Sequence, residues 1–348
     1  MKTLGVGIIG CGNIAPMHAA GYARAEGAEL RAVCSGSERS ARAAGERWGV
    51  PWYTDWCEMM DRGDIDIVSV CTPSGLHMEP ALEAARRGIH VLAEKPLEIT
   101  GERIDAMIAA AGEHGTVLSC IFNNRFTEAH RLVKRAVDTG RFGKILTANA
   151  SVRWYRTPEY YAGSAWRGTW ALDGGGALMN QSIHYVDLLL WIAGDARRVS
   201  AYTGTLLHRG IEAEDTAVAA VEFESGALGT IIGTTSTYPG YPAILEIAGE
   251  RGSCVITDGK ITAWGFADED PIDAEARALM AQGTEKNNRA ADPMAFAAEN
   301  HCRQIADFVT AIREGREPAV SAADARRSVA LIRAIYRSAK SGQSEEVR

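Results

Sequence analysis

Six residues near the N-terminus, Gly10-Cys11-Gly12-Asn13-Ile14-Ala15, constrain the fold more than any other feature of this sequence. They follow an apolar run at 5–9 and open a helical pattern at 14–26. In that setting GxGxxA has a physical reading: Gly10 permits a tight turn, Gly12 lets the backbone approach a pyrophosphate, and Ala15 keeps helix and strand close. The helix start, with Asn13 and Ile14, then turns unbonded amides toward phosphate charge. Further apolar runs at 30–34, 67–71, 90–93 and 117–121 alternate with helical patterns at 38–48, 55–61, 77–87 and 101–114. Short apolar strands joined by crossover helices belong to a parallel sheet covered on both faces. Residues 1–123 are therefore expected to form a doubly wound Rossmann domain that binds a dinucleotide.

Beyond residue 123 the rhythm changes. A helical pattern at 128–139 leads into a strand-like stretch at 145–154, and alternating runs follow at 216–223, 228–234 and 244–247. Turn pairs Ser225-Gly226, Pro239-Gly240 and Asp258-Gly259 suit strands joined by short connections. Two helices, 300–313 and 322–339, close the chain, and the polar, alanine-rich segment 268–297 receives no assignment. The expected second domain, 124–348, is α/β with a large open mixed or antiparallel sheet.

Composition excludes several classes. A net charge of -7 opposes binding to phosphate backbones, so no nucleic-acid partner is expected. The seven cysteines are odd in number and contain no CxxC, which argues against a disulfide framework or a zinc site. No apolar run approaches the roughly 18 residues of a membrane span, and the opening apolar run breaks at Gly10 as a first strand would, so a cytoplasmic protein is expected.

The residue ending the second strand normally carries a carboxylate for the adenosine ribose. Here it is Ser35, followed by Ser37 and Arg39, three groups able to hold a 2′-phosphate. NADP is accordingly favoured, with NAD the alternative. Thr72, Pro73 and His77 after the third strand, and Glu94-Lys95-Pro96 after the fourth, stand at the carboxyl edge of the sheet, where such folds bind ligands.

These motifs, together with Gly174-Gly175-Gly176 leading to His184 and Asp187 and with Gly315-Arg316-Glu317-Pro318 before the last helix, resemble the Gfo/Idh/MocA oxidoreductases over nearly the whole chain. The resemblance implies a catalytic Lys95 and His184, a dinucleotide held by Thr72, Pro73, His77, Glu94 and Lys95, and a second domain that often forms homodimers or homotetramers. It also implies a substrate-facing pair, Asn124-Arg125. Asn180, His184, Asp187 and Trp191, at i, i+4, i+7 and i+11, are expected on one helix face, with the glycines before them letting ligand and backbone approach. Where many polyol-oxidising relatives carry Asp, this chain has Asn180; an amide orients a hydroxyl but relays no proton. The Asn180-Gln181-x-x-His184 form is similar to that of nucleotide-sugar 3-dehydrogenases.

Between Trp154 and Trp170 lie Tyr155, Tyr160, Tyr161 and Trp166, interleaved with Arg153, Arg156 and Arg167. Aromatic faces pack on pyranose rings and arginines bind hydroxyls, carboxylates or diphosphates, so this stretch is expected to bind a small carbohydrate. His18, His208 and the 238–242 segment receive no chemical role, and no metal site is expected. The leading reading is hydride exchange between nicotinamide and a ring hydroxyl of a sugar, nucleotide sugar or cyclitol. Two alternatives stay open: a glycosidase that oxidises C3 transiently with no net redox change, and a non-catalytic NADP-binding regulator.

The sequence predicts that NADP binds more tightly than NAD and that Ser35→Asp reverses the order by repelling the 2′-phosphate. Calorimetric titration of both proteins with both dinucleotides checks it; equal affinities in the parent, or no reversal, would remove Ser35 and Arg39 from the cofactor site.

Overall fold

A computed structural model describes residues 2–281 and 298–348, so that 282–297 of the unassigned segment lie outside the described residues. The chain divides into two compact units: residues up to 123 with 298–326, and 124–281 with 327–348.

In the first unit six strands, β1 (Leu4–Ile9), β2 (Ala28–Cys34), β3 (Trp52–Tyr53), β4 (Ile67–Val70), β5 (His90–Ala93) and β6 (Leu118–Cys120), lie parallel in the order β3-β2-β1-β4-β5-β6. The order reverses beside β1, and the loops leaving β1 and β4 flank that switch point, where open α/β sheets take ligands. Helices α1 (Ala15–Arg24), α2 (Glu38–Trp48), α3 (Trp56–Met60), α4 (Met78–Arg86) and α5 (Gly101–His114) supply the crossovers. Capping sets their ends: the Ser37 and Thr100 hydroxyls accept the third amides of α2 and α5, and both helices stop at left-handed glycines, Gly49 and Gly115.

The expected contiguous second domain is corrected by helix α10 (Ala298–Glu314), which groups with the first unit. Its Ile305, Phe308 and Val309 are buried with Val6, Tyr22, Ile67, Leu92 and Ile121, so α10 completes one covering layer of the parallel sheet. The sequence shows the apolar stripe of such a helix but not which sheet receives it.

The second unit is built on eight strands: β7 (Ile145–Arg153), β8 (Ala196–Gly204), β9 (Thr216–Phe223), β10 (Leu228–Thr234), β11 (Ile244–Gly249), β12 (Gly252–Thr257), β13 (Lys260–Phe266) and β14 (Glu345–Glu346). Their order is β13-β12-β11-β7-β10-β9-β8-β14, with β7 and β10 parallel and the other neighbours antiparallel. Strand β9 buries Ala217, Ala219, Val221 and Phe223 on one face. Its other face turns Val218 outward, in register with exposed Tyr202 on β8. Helix α8 (Ile183–Ala193) packs on the covered face beside β7 and buries every residue except Trp191. The unit also holds α6 (Glu128–Asp138), α7 (Pro158–Ala162), α9 (Pro271–Ala281) and part of α11 (Ala322–Ser341). Helix α9 lies in the unassigned segment and is pinned by buried Asp273, which accepts from Arg141 and from the Trp264 indole at 2.8 Å each. Among the described residues no helix is long and apolar enough to cross a membrane.

Candidate active site

At the switch point Gly10 has φ +98°, and a Cβ there would lie 2.6 Å from the backbone of Cys71, so only glycine fits the turn. Two residues on, a Cβ at Gly12 would meet nothing within 4 Å; exposed Gly12 and Asn13, with half-buried Ile14, leave the start of α1 open to a ligand. Ala15 is buried against Ile8, Ala19, Val33 and Cys71, which holds helix and strand together. This open, amide-lined turn fits a dinucleotide pyrophosphate. Ser35 is half-buried and its N–H donates to the Tyr53 carbonyl at 3.1 Å, while Arg39 is exposed on α2. Ser37 spends its hydroxyl on the α2 cap, so a 2′-phosphate would rely on Ser35 and Arg39.

The second cluster differs from expectation. His77 is fully buried with Nδ1 3.0 Å from the Pro96 carbonyl and Nε2 3.0 Å from the Thr72 carbonyl. Its ring ties the Thr72-Pro73 loop to the Lys95-Pro96 segment, a bracing role that the sequence did not show. Thr72 in turn donates its hydroxyl to the Leu76 carbonyl at 3.1 Å. Glu94 is likewise turned inward. Its Oε1 lies 3.0 Å from His18 Nε2 and 3.8 Å from His301 Nε2, and its Oε2 accepts the Lys95 N–H at 3.1 Å. The network closes when Tyr22 donates to Ser69 Oγ, Ser69 to His18 Nδ1, and His18 Nε2–H to Glu94, an assignment made from hydrogen-bond logic. Glu94 thus anchors the backbone of half-buried Lys95. His18, which carried no role in the sequence, is the centre of this network.

Burial alone would push the Glu94 carboxyl up, but the His18 hydrogen bond, with His18, His301 and Lys95, brings it down to about 2. Burial, then neighbouring His18, depresses His301 to about 4 against the pull of Glu94.

In the second unit the expected single helix face is broken. Residues Ala177–Ser182 form a π-helical turn and α8 begins only at Ile183, so Asn180 sits on the wide turn while His184, Asp187 and Trp191 follow on α8. Such wide turns recur at functional sites because they redirect side chains. Asn180 donates to Asp173 at 2.6 Å and accepts from Gln181 at 2.8 Å. Gln181 also donates to the Tyr160 hydroxyl at 2.7 Å and accepts from buried Arg156 at 2.8 Å. His184 is buried one residue into α8.

Two glycines ahead of this turn make room for the protein itself: a Cβ on Gly175 would lie 2.1 Å from the Tyr336 hydroxyl, and one on Gly176 would lie 1.8 Å from the Glu214 carbonyl. Arg125 is also drawn inward. Its guanidinium meets buried Asp187 in two bonds of 2.8 and 2.6 Å and lies over Trp191, which ties it to α8. Asn124 is buried and its carbonyl accepts from His130 at 2.8 Å. The aromatic and arginine stretch does gather: Arg167 lies over Tyr160 at 4.3 Å and Trp166 at 5.6 Å, Arg153 over Tyr241 at 5.4 Å, and Tyr155 meets Tyr238 edge-on at 5.2 Å. Glu214 and His301 were missed because each acts through partners distant in sequence, and Asp173 because no motif marks its bonds to the nearby Gly168 N–H and Asn180.

Two family profiles match: one described as oxidoreductase family, NAD-binding Rossmann fold, over residues 4–122, and one described as GFO/IDH/MocA C-terminal domain over 130–255. Levoglucosan dehydrogenase of Pseudarthrobacter phenanthrenivorans is 29% identical over 73% of this chain and 74% of its own. Myo-inositol 2-dehydrogenase of Thermotoga maritima is 27% identical over 94% and 93%. Among solved structures, the WlbA dehydrogenase from Bordetella pertussis, in complex with NADH and UDP-GlcNAcA, is 35% identical with a TM-score of 0.91, covering 100% of this chain and 98% of its own.

The buried His18, Glu94 and His301 network predicts acid sensitivity with a definite sign. The folded protein refuses a proton on His301 that the unfolded chain takes at its ordinary 6.5, so stability is lost as pH falls from 6.5 toward 4. Glu94, held low, adds stability above its ordinary 4.5 that is lost as pH falls toward 2. The melting temperature measured from pH 8 to 3 should therefore decline below about 6.5, and His301→Gln should flatten the upper part of that decline. An unchanged acid limb in the variant would show that His301 does not carry it.

Proposed function

Because the chain belongs to the Gfo/Idh/MocA oxidoreductases, we propose that it exchanges reducing equivalents between a nicotinamide dinucleotide and a secondary ring hydroxyl of a nucleotide-linked sugar acid. One observation carries the substrate class. Arg153 and Arg167 lie against aromatic rings, and neither has a carboxylate partner among the described residues. Two uncompensated guanidiniums beside rings able to stack on a pyranose favour a sugar that also bears carboxylate or diphosphate. The likeness to a dehydrogenase solved with UDP-GlcNAcA supports the same class.

When bound, the nicotinamide supplies the two-electron acceptor; the open turn at Gly10 and Gly12 suits its pyrophosphate. We assign His184 to removal of the hydroxyl proton and Lys95 to a hydrogen bond on the same oxygen. Asn180, held by Asp173 and Gln181, orients the hydroxyl without taking its proton. For the cofactor two supports pull differently. Solved relatives hold NADH, whereas Ser35 stands where a carboxylate would repel a 2′-phosphate. Both dinucleotides therefore enter the assay.

A panel of UDP-GlcNAcA, levoglucosan and myo-inositol, each with NAD and NADP, should give net reduced nicotinamide most efficiently with the nucleotide sugar, and NMR of the product should show one new ring ketone. Preference for a neutral sugar would overturn the substrate class, and turnover without net reduction would favour the transient-oxidation chemistry.

General acid-base help is typically worth about 10²–10⁴-fold. Lys95→Met and His184→Ala should each lower kcat by at least the lower figure while leaving dinucleotide affinity and melting temperature near parental values. A folded variant that transfers electrons at the parental rate would take its residue out of the mechanism.

A further inference from the structure

Glu214 is a carboxylate that the reaction does not touch, yet it is buried and encircled by donors. Its Oε2 accepts the Gly176 N–H at 3.0 Å, and its Oε1 accepts the Leu178 N–H at 2.8 Å and the Tyr336 hydroxyl at 2.9 Å. The Ala177 N–H between them donates to the backbone carbonyl of the same residue at 2.9 Å. Three successive amides at the start of the π-helical turn, which the helix itself leaves unbonded, are thus all taken by one residue of the strand-leading segment before β9. The absence of side chains at Gly175 and Gly176 is what lets the Tyr336 hydroxyl and Glu214 reach them.

We propose that Glu214 is a positioning residue for catalysis: by holding the amides of Gly176, Ala177 and Leu178 it fixes the start of the π turn that presents Asn180 and leads into His184. The inference rests on the assignment of His184 given above. A wide turn costs more than a continued α-helix and persists only where surroundings over-determine it. Here the over-determination is the triple anchor, because a plain α-helical start would carry these amides off the carboxylate. Burial raises the Glu214 carboxyl to about 7 against the donors that pull it down, so its retention costs stability that an apolar residue would not. An amide side chain at 214 would keep the reach but offer one acceptor where two amides and a hydroxyl now compete.

The test compares Glu214→Gln with the parent in three readouts: hydrogen exchange of the peptide spanning 176–184, dinucleotide affinity, and turnover of UDP-GlcNAcA carrying deuterium at C3. Exchange should quicken in that peptide alone, and dinucleotide affinity should stay within about twofold. Misplacement near 1 Å costs on the order of 10²-fold, so kcat should fall between about 10- and 100-fold, with a larger deuterium isotope effect as the bond-breaking step becomes limiting. Parental exchange, kcat and isotope effect overturn the proposal. So does a loss of activity that merely tracks unfolded protein, with exchange quickened throughout the second unit. If Glu214→Gln does not fold, Tyr336→Phe, which removes one of the three donors, carries the same readouts and the same criteria with a smaller change, about two- to tenfold. His184→Ala separates the proposal from its premise: parental turnover there overturns both, whereas an inactive His184→Ala beside a parental Glu214→Gln overturns only the role of Glu214. Should the parent not turn over this sugar, the substrate class fails and the exchange measurement alone decides the anchor.

Discussion

A carboxylate taken out of water costs several kcal/mol unless donors replace its solvent, and three such groups here each hold a segment that bears a residue proposed for the site. Glu94 accepts the backbone N–H of Lys95, Asp187 clasps Arg125 from within α8, and Glu214 binds the amides at the start of the turn before His184. In each case at least one donor is a peptide N–H or a guanidinium, joined by the His18 ring at Glu94 and the Tyr336 hydroxyl at Glu214, so the carboxylate is fully satisfied only in one backbone arrangement. Fixing a strand end, a helix and a helix start in this way pre-organises the groups they carry, which is the costly part of placing a general acid or base.

The π turn at Ala177–Ser182 is where such anchoring meets the local geometry of Asn180. On an ideal α-helix, Asn180 and His184 would stack one turn apart on a common stripe. Widening the first turn shifts Asn180 relative to that stripe and brings its amide to Asp173 and Gln181. The amide is then part of a chain running through Gln181 to Tyr160 and Arg156, so a change at any member propagates to the orientation of Asn180.

The parts of this protein that sequence made legible are those governed by local rules. The parallel sheet, the turn at Gly10 and the placement of Lys95 after β5 follow from periodicity, glycine stereochemistry and strand ends, all encoded within about 20 residues. Helix α10 was visible as a helix but not as part of the first unit, because an apolar stripe such as Ile305, Phe308 and Val309 names no partner. Strands β8 and β12 escaped because exposed Arg197, Arg198 and Ser253 interrupt their apolar pattern, and β13 because only Ile261 of its residues is buried. The protein partners of His77 and Arg125 were not legible either, since a motif shows that a polar residue is required, not what it bonds.

Glu214 marks the limit of such reading most clearly. Nothing in Ala213-Glu214-Asp215 distinguishes a buried anchor from a solvated acidic pair, and the amides it binds lie 36 to 38 positions earlier. The available local trace is the run Gly174-Gly175-Gly176, since two of those glycines are demanded by the bulk of Tyr336 and Glu214. A glycine cluster ahead of a helix therefore has two physical explanations, approach of a ligand or approach of the protein's own buried polar groups, and only the positions of the atoms filling the missing Cβ sites decide between them. In this chain Gly176 belongs to the second kind, whereas the space at Gly12 is filled by no protein atom.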